Sequence, residues 1–219
     1  MRIALLVLGA VLVLLVASQI ALPKIAASKI SSRVGRYGVV QSVSVSAWPA
    51  VKLLWGEVDT VKVRARHLSL STAQAAKLLW EAHGVGTMDL SAGSVKVGPL
   101  QVEDAVLHKR GSAMEATART SEADVRAALP EGLEVKLLGS REGQVEVQAG
   151  GGLFGVDASV DALAGGSDGK LVAHPLGLLL EGFQLTLFAD PHVFVEGVGA
   201  SVVSREPLTY DLSMSASLR

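Results

Sequence analysis

Residues of the types that catalyse reactions or bind metals are present in the sequence, but their spacing builds no recognised site. The five histidines, His67, His83, His108, His174 and His192, include no pair four residues apart and no HExxH sequence. No cysteine is available to share a metal ion with them. Because metal ligands usually recur at short, regular spacings, the sequence predicts no metal site.

Several short segments resemble fragments of catalytic or cofactor motifs. Gly139-Ser-Arg-Glu-Gly143 lacks the G-x-S-x-G spacing of a nucleophile elbow. Asp190-Pro-His192 places an acid near a base, but Asp-Pro commonly starts a turn, and a turn is the favoured interpretation. Gly84-Val-Gly86 and Gly197-Val-Gly199 lack the third glycine of a dinucleotide fingerprint and are interpreted as turns. These patterns favour a protein that is not an enzyme and uses no cofactor.

Apolar side chains interspersed with tryptophan and lysine offer a different kind of chemistry. The tetrapeptide Lys-Leu-Leu-Trp occurs at 52–55 and again at 77–80. Tryptophan favours the boundary between polar and apolar surroundings, and a lysine stem can cross apolar surface while its ammonium reaches phosphate. We predict a lipid-binding site formed by Trp48, Leu53, Leu54, Trp55, Leu78, Leu79 and Trp80, with Lys52 and Lys77 attracting phosphate. The alternative, that these side chains anchor the core, stays open.

The chain also carries more apolar residues than one core of its size requires. Its mean hydropathy is +0.41, and the run Leu176-Gly-Leu-Leu-Leu180 fits no single phase of strand alternation. Surplus apolar surface of this kind indicates a groove for acyl chains. A tightly packed ordinary core is the competing interpretation.

Alternating apolar and polar residues predict a mostly β domain in which a few helices are embedded. Helices are predicted at 24–34, 50–55, 73–82 and 121–129, with Ser71 or Thr72 and Ser121 as N-terminal caps. Strands are predicted at 43–47, 61–66, 88–97, 100–107, 134–138, 144–148, 154–160, 170–174, 183–188, 193–198 and 208–218. Long alternating strands joined by short turns indicate an α+β fold in which one curved antiparallel sheet wraps around the helices.

The amino-terminal segment predicts entry into a membrane. Residues 3–23 carry no formal charge, and residues 3–17 are apolar throughout. About 20 helical residues span a hydrocarbon core of roughly 30 Å, although a cleaved signal peptide begins in the same way. We favour an uncleaved anchor over 1–23, followed by a single domain over 24–219. That domain is expected in the cell envelope, at the extracytoplasmic face of the inner membrane, either anchored or released into the periplasm.

Charge and composition restrict the partners. Residues 24–110 carry 12 Lys and Arg against 6 Asp and Glu, a difference of +6, whereas residues 111–219 carry 7 against 15, a difference of −8. The basic half follows the anchor and can lie against anionic lipid; an uneven but functionless surface is the alternative. Nucleic acid is not an expected partner, because aromatic residues make up 4% of the chain and do not alternate with basic ones.

Several short motifs occur in a characteristic order along the chain. They begin with the strand and aromatic-Pro turn at 43–49, the Leu-rich segment at 53–56 and the strand at 58–63. They continue with Ser121-Glu-Ala-Asp-Val125 and Ala128-Leu129, the strand pair at 145–160 and Leu171-Val-Ala-His-Pro175. In these motifs and their order, the chain resembles the LmeA-like family of actinobacterial envelope proteins. Where the family often has Phe before the proline, this chain has Trp48.

The resemblance implies a periplasmic phospholipid-binding protein that is similar in build to tubular lipid-binding domains and supports envelope lipids or mannose-containing glycolipids. It implies no catalytic residues. We therefore expect a non-catalytic protein that binds or transfers phospholipid or another acyl lipid at the inner membrane. A structural envelope module that binds a protein partner through a sheet edge is the main alternative. An accessory to an envelope hydrolase or glycosyltransferase is a third.

Overall fold

The structure is a computed structural model that describes residues 19–129, 131, 133–153, 156–177 and 182–219. For residues 133, 152, 153 and 156–158, only the backbone is described. The helices are α1 (19–34), α2 (Thr72–Glu81) and α3 (Glu122–Ala128), with 3-10 segments at Gly35–Tyr37 and Ala50–Trp55. The strands are β1 (Gly38–Ser46), β2 (Val58–Leu70), β3 (Val85–Val97), β4 (Leu100–Arg110), β5 (Ala113–Ser121), β6 (Leu133–Arg141), β7 (Gln144–Leu153), β8 (Val156–Ser167), β9 (Lys170–Pro175), β10 (Leu185–Phe188), β11 (Val193–Arg205) and β12 (Leu208–Leu218).

Two sheets form the body of the protein, where the sequence had predicted one. The larger has seven strands in the order β1-β2-β3-β4-β5-β12-β11, and the smaller has five in the order β10-β9-β8-β7-β6. The predicted mostly β, antiparallel-rich architecture is confirmed, but the strands form two sheets instead of one, and neither described sheet closes on itself. Most neighbouring strands are antiparallel as predicted, but β2 and β3 are parallel because α2 makes the crossover between them.

Two helices begin directly after the capping residues that the sequence predicted. Ser71 caps α2: its Oγ accepts from the backbone N of Gln74 at 3.2 Å, and the Gln74 side chain accepts from the Ser71 backbone N at 2.8 Å. Ser121 caps α3 by accepting from the backbone N of Asp124 at 3.1 Å. Each cap satisfies backbone donors that have no partner inside the helix. The two predicted caps are confirmed.

One row of side chains runs across the whole seven-stranded sheet and is buried. The register aligns these residues on one face, one from each strand: Val45, Val61, Met88, Lys109, Met114, Ala216 and Val195. Each is at most 8% exposed. Helix α1 covers part of this row through Ala26, Ala27, Ile30 and Val34, and Leu79 of α2 packs on its centre. Ile25, which also lies on α1, is 54% exposed.

Turns of the small sheet meet the outer strand of the large one. The backbone N of Val195 donates to Gly169 O at 2.9 Å, and the backbone N of Val198 donates to Gly143 O at 2.8 Å. Gly166 of β8 lies so close to β11 that a Cβ there would be 2.8 Å from two backbone oxygens. The junction between the sheets is thus a backbone-to-backbone contact that requires small residues.

Several predicted elements end elsewhere or fall outside the described residues. The segment Gly197-Val-Gly199, interpreted as a turn, lies inside β11, where Gly197 and Gly199 face Ser215 and Ser213 across the register. Strand β5 was not predicted. Phe154, Pro130 and most of the apolar run at 176–180 lie outside the described residues, as do residues 1–18. None of the helices in the described ranges is long and apolar enough to cross a membrane, so the anchor and the domain boundary at 23 and 24 stay predictions.

Tyr210 of β12 lies on the same face of the large sheet as the buried row, and its hydroxyl provides a test of how that face is packed. Its side chain is 2% exposed, and its hydroxyl makes no hydrogen bond to any described residue. Burial raises the pKa of Tyr210, and the nearby carboxylate of Glu122 adds to the rise. The backbone of Leu137 is close enough to oppose that rise but does not meet hydrogen-bond geometry.

We expect Tyr210→Phe to leave the free energy of unfolding unchanged or to raise it by about 1 kcal/mol, because a buried hydroxyl without a partner costs stability. Urea denaturation of the two proteins measures the difference. A loss of more than about 1 kcal/mol would contradict the expectation and would mean that the hydroxyl is bound in solution.

Candidate functional site: an apolar strip on the large sheet

Next to the buried row lies a row of apolar residues that is only partly covered. Its members are direct register partners on five adjacent strands: Leu90, Leu107, Ala116, Met214 and Val198. We call these five residues the apolar strip. All of them are half-buried, whereas their counterparts in the buried row are fully buried. Ala118 and Leu212, one register step further along, are half-buried as well.

The strip is flanked on two sides by other parts of the chain. Residues of α1 and α2 pack against the buried row on one side, where Leu90 and Leu107 of the strip pack against the same core clusters. On the other side, α3 lies against β4, β5, β12 and β6. The side chains that follow Ala118 and Leu212 on this face of β5 and β12 are the buried pair Thr120 and Tyr210. The strip therefore lies between the buried row and the buried pair Thr120 and Tyr210 on the same face of the sheet.

The dimensions of the strip suit an acyl chain. It crosses four gaps between strands, each about 4.8 Å wide, and so extends for about 19 Å. One leaflet of a bilayer has a hydrocarbon depth of about 15 Å, which is half of a core of roughly 30 Å. An acyl chain from one leaflet can thus lie across the strands without leaving apolar surface.

The first copy of the repeated tetrapeptide lies at an exposed tip between β1 and β2. Trp48, Leu54 and Trp55 are 75%, 66% and 72% exposed, whereas Leu53 packs into the core beneath them. The Lys52 ammonium is 3.7 Å from the carboxylate of Asp59. This ion pair is accessible to solvent and leaves Lys52 only partly available to a phosphate group.

The second copy has different surroundings. Leu79 packs into the core, Leu78 is half-buried and Lys77 is exposed. The ring of Trp80 is half-buried between two imidazoles, with centroids 4.7 Å from His83 and 4.0 Å from His192. The structure does not assemble the two copies into one lipid site, although Leu53 and Leu79 contact the same core cluster. Their assignment to lipid binding stays a prediction.

The segment Asp190-Pro-His192 forms a turn, as the sequence predicted. The backbone N of His192 donates to the Asp190 carboxylate at 2.9 Å, so this acid holds the turn and does not orient the imidazole. The His192 ring stacks on Trp80 instead. Among the described residues, no group of three potential metal ligands comes together.

A polar cleft of about 390 Å³ lies on the opposite face of the large sheet, next to β6. Arg119 dominates it: its Nη1 is 3.3 Å from Asp104 and its Nε is 3.2 Å from Asp211. Two carboxylates and one guanidinium leave a net negative charge, which disfavours an anionic head group. The cleft is therefore a poor site for phosphate.

Lys109 is a cation in the middle of the buried row. It is 1% exposed, and its Nζ donates to the backbone oxygens of Val85 at 2.5 Å and His83 at 3.5 Å. No described carboxylate forms an ion pair with it. Burial lowers the pKa of Lys109 because removal from water disfavours the charged form.

This lowered pKa predicts a specific pH dependence of stability. The folded protein binds the Lys109 proton more weakly than the unfolded chain, whose lysines titrate near 10.5. The free-energy cost of burying the ammonium therefore lowers the stability of the protein at neutral pH. This cost decreases as the pH rises through the pKa of Lys109 in the folded protein towards 10.5. Relative to Lys109→Met, the wild type should gain stability over that range. Urea denaturation of both proteins at several alkaline pH values measures the difference, and a difference independent of pH would contradict this account.

Sequence reasoning did not identify the strip, Lys109 or the imidazole stack. In β12, Leu212 and Met214 are in the same phase of alternation as its other apolar residues, so the sequence of this strand carries a signal for part of the strip. Lys109 follows Leu107 in the same phase of alternation, which is the signal that could have revealed a buried cation. The stack of His192 on Trp80 joins residues more than 100 positions apart and leaves no local pattern.

A partly covered apolar strip on a β-sheet is typical of proteins that bind hydrophobic ligands. The model of the LmeA-like phospholipid-binding family matches residues 14–212. The chain therefore belongs to that family, and the resemblance noted in the sequence is confirmed. No curated protein and no solved structure matches the chain significantly.

Proposed function

We propose that the protein binds a phospholipid by laying acyl chain along the apolar strip. The observation that carries this proposal is the row of five half-buried apolar partners, Leu90 to Val198, beside a row that is fully buried. Each methylene that leaves water contributes about 0.8 kcal/mol, so a chain lying along the strip is bound without a specific head-group contact. Membership of a family described as phospholipid-binding supports the same function.

In this proposal the protein is a non-catalytic lipid binder or carrier of the cell envelope. The apolar segment at 3–17 supports a location at a membrane, and supply of lipid for the maintenance of envelope lipids or lipoglycans is the role that fits such a carrier. The proposed ligand is the acyl portion of the lipid, because the polar cleft carries the wrong charge for phosphate.

Native mass spectrometry of the full chain, released from detergent and followed by lipid extraction, tests the proposal. We expect a stoichiometric phospholipid adduct on a protein that is folded by circular dichroism. A folded protein with no adduct, after incubation with phospholipid vesicles, would overturn the proposal and favour a structural module that binds a protein partner.

A further inference from the structure

We propose that the tip between β1 and β2 inserts into the surface of the bilayer that the amino-terminal segment enters. The tip comprises residues 47–57 and carries Trp48, Leu54 and Trp55, three of the most exposed large apolar side chains among the described residues. Monomeric proteins rarely leave such side chains clustered in water without a partner. The contacts of the tip with the rest of the chain indicate that this partner is the phospholipid bilayer.

Contacts with the rest of the chain fix the backbone of the tip, so its exposed side chains point outward from a defined position. The Asp59 carboxylate accepts from the backbone N of Trp48 at 2.5 Å and lies 3.7 Å from the Lys52 ammonium. Ala50 is fully buried, and Leu53 packs into the core. The segment ends at Gly56, which adopts a left-handed conformation with φ of 79°. The chain thus fixes a rigid base beneath three outward apolar groups.

The apolar amino-terminal segment leads to this tip. The side-chain oxygen of Gln19, the first described residue of α1, accepts from the backbone N of Ala50 at 3.1 Å. One residue separates Gln19 from the fifteen apolar residues at 3–17. Ile20, the next residue of α1, is 60% exposed. The segment that needs a hydrocarbon environment therefore joins the described chain within contact distance of the tip.

Residue types at the tip match the interfacial zone of a bilayer. Tryptophan is enriched at that depth, where its ring packs on acyl chains and its N–H stays hydrated. The charges nearby give no strong electrostatic preference, because Lys52 is paired with Asp59 and Glu57 adds a further negative charge. The tip should consequently bind zwitterionic phosphatidylcholine as well as anionic lipid.

Quenching of tryptophan fluorescence by brominated lipid tests the inference directly. The full chain is reconstituted in vesicles of phosphatidylcholine brominated on the acyl chains just below the head group. We expect the emission of Trp48 and Trp55 to be largely lost. The variant Trp48→Phe/Trp55→Phe, which retains Trp80 between its two imidazoles, should show little quenching, and Trp80→Phe should be quenched more strongly than the wild type. Because Trp48 and Trp55 are exposed, the double variant should fold, and circular dichroism checks this.

Three results would overturn the inference. Absence of quenching at Trp48 and Trp55 would exclude insertion. A blue shift of the emission without lipid, if it is lost on dilution, would mean that the tip binds a second copy of the chain. A blue shift that does not depend on dilution would mean that the tip binds the chain's own amino-terminal segment. The outcome is independent of lipid binding on the strip, because the lipid adduct is measured separately on the same preparation.

Discussion

Filling the apolar strip with an aromatic ring should weaken phospholipid binding without destabilising the protein. Ala116 lies at the centre of the strip, paired with Leu107 on one side and Met214 on the other. In Ala116→Phe, the ring would cover the surface that two or three methylenes of an acyl chain otherwise contact. At about 0.8 kcal/mol per methylene, we expect affinity for phospholipid to fall by about 15-fold to 60-fold. The lipid adduct in native mass spectrometry, titrated with phospholipid, measures the change.

A matched substitution lies one residue away on the same strand. Thr117 is exposed on the opposite face of β5, beside the polar cleft, and Thr117→Phe adds a similar ring without touching the strip. It should leave lipid binding unchanged. An aromatic ring among apolar cross-strand neighbours stabilises a sheet by roughly 0.2–1 kcal/mol, so Ala116→Phe should remain folded. Equal lipid occupancy in the two variants would place the lipid elsewhere.

The junction between the two sheets should not tolerate even one additional methyl group. A Cβ at position 166 would be 2.8 Å from the backbone oxygens of Val195 and Glu196, and strand backbone cannot move aside as a side chain can. Overpacking of this kind costs about 1–3 kcal/mol. We expect Gly166→Ala to lower the free energy of unfolding by that amount and the melting temperature by several degrees, measured by urea and thermal denaturation.

Gly139 of β6 supplies the control for this experiment. It is also a strand glycine of the small sheet, but a Cβ there would meet nothing within 4 Å. Gly139→Ala should be neutral or slightly stabilising, because alanine reduces the conformational freedom of the unfolded chain. If both variants lost the same stability, the close contact with β11 would not be the cause.

Local patterns in the sequence predicted the elements of this fold well. The alternation in β12 places Tyr210, Ala216 and Leu218 on the buried face, as expected. Side-chain caps at Ser71 and Ser121 predicted where two helices begin. These signals depend on residues within a few positions of each other, and the tertiary structure did not override them.

The parts that were not predicted depend on contacts distant in sequence or on weak β-formers. Strand β5 was missed because its buried face contains Ala116 and Ala118, and alanine has little preference for strands. The division into two sheets depends on which strands pair with one another, and no local pattern specifies that β12 pairs with β5. The identical tetrapeptides at 52–55 and 77–80 show the same limit: one ends a 3-10 helix with an exposed indole, and the other places its indole between imidazoles.

Contacts at the outer strand β11 also bear on how the molecule avoids self-association. The backbone N–H groups of Val195 and Val198 point away from β12 and would otherwise be free to bind an extended peptide from another molecule. Gly169 O and Gly143 O already accept from them. Strand addition at this edge would therefore have to break bonds within the protein first, so the small sheet protects the large one against intermolecular β-pairing and fibre growth.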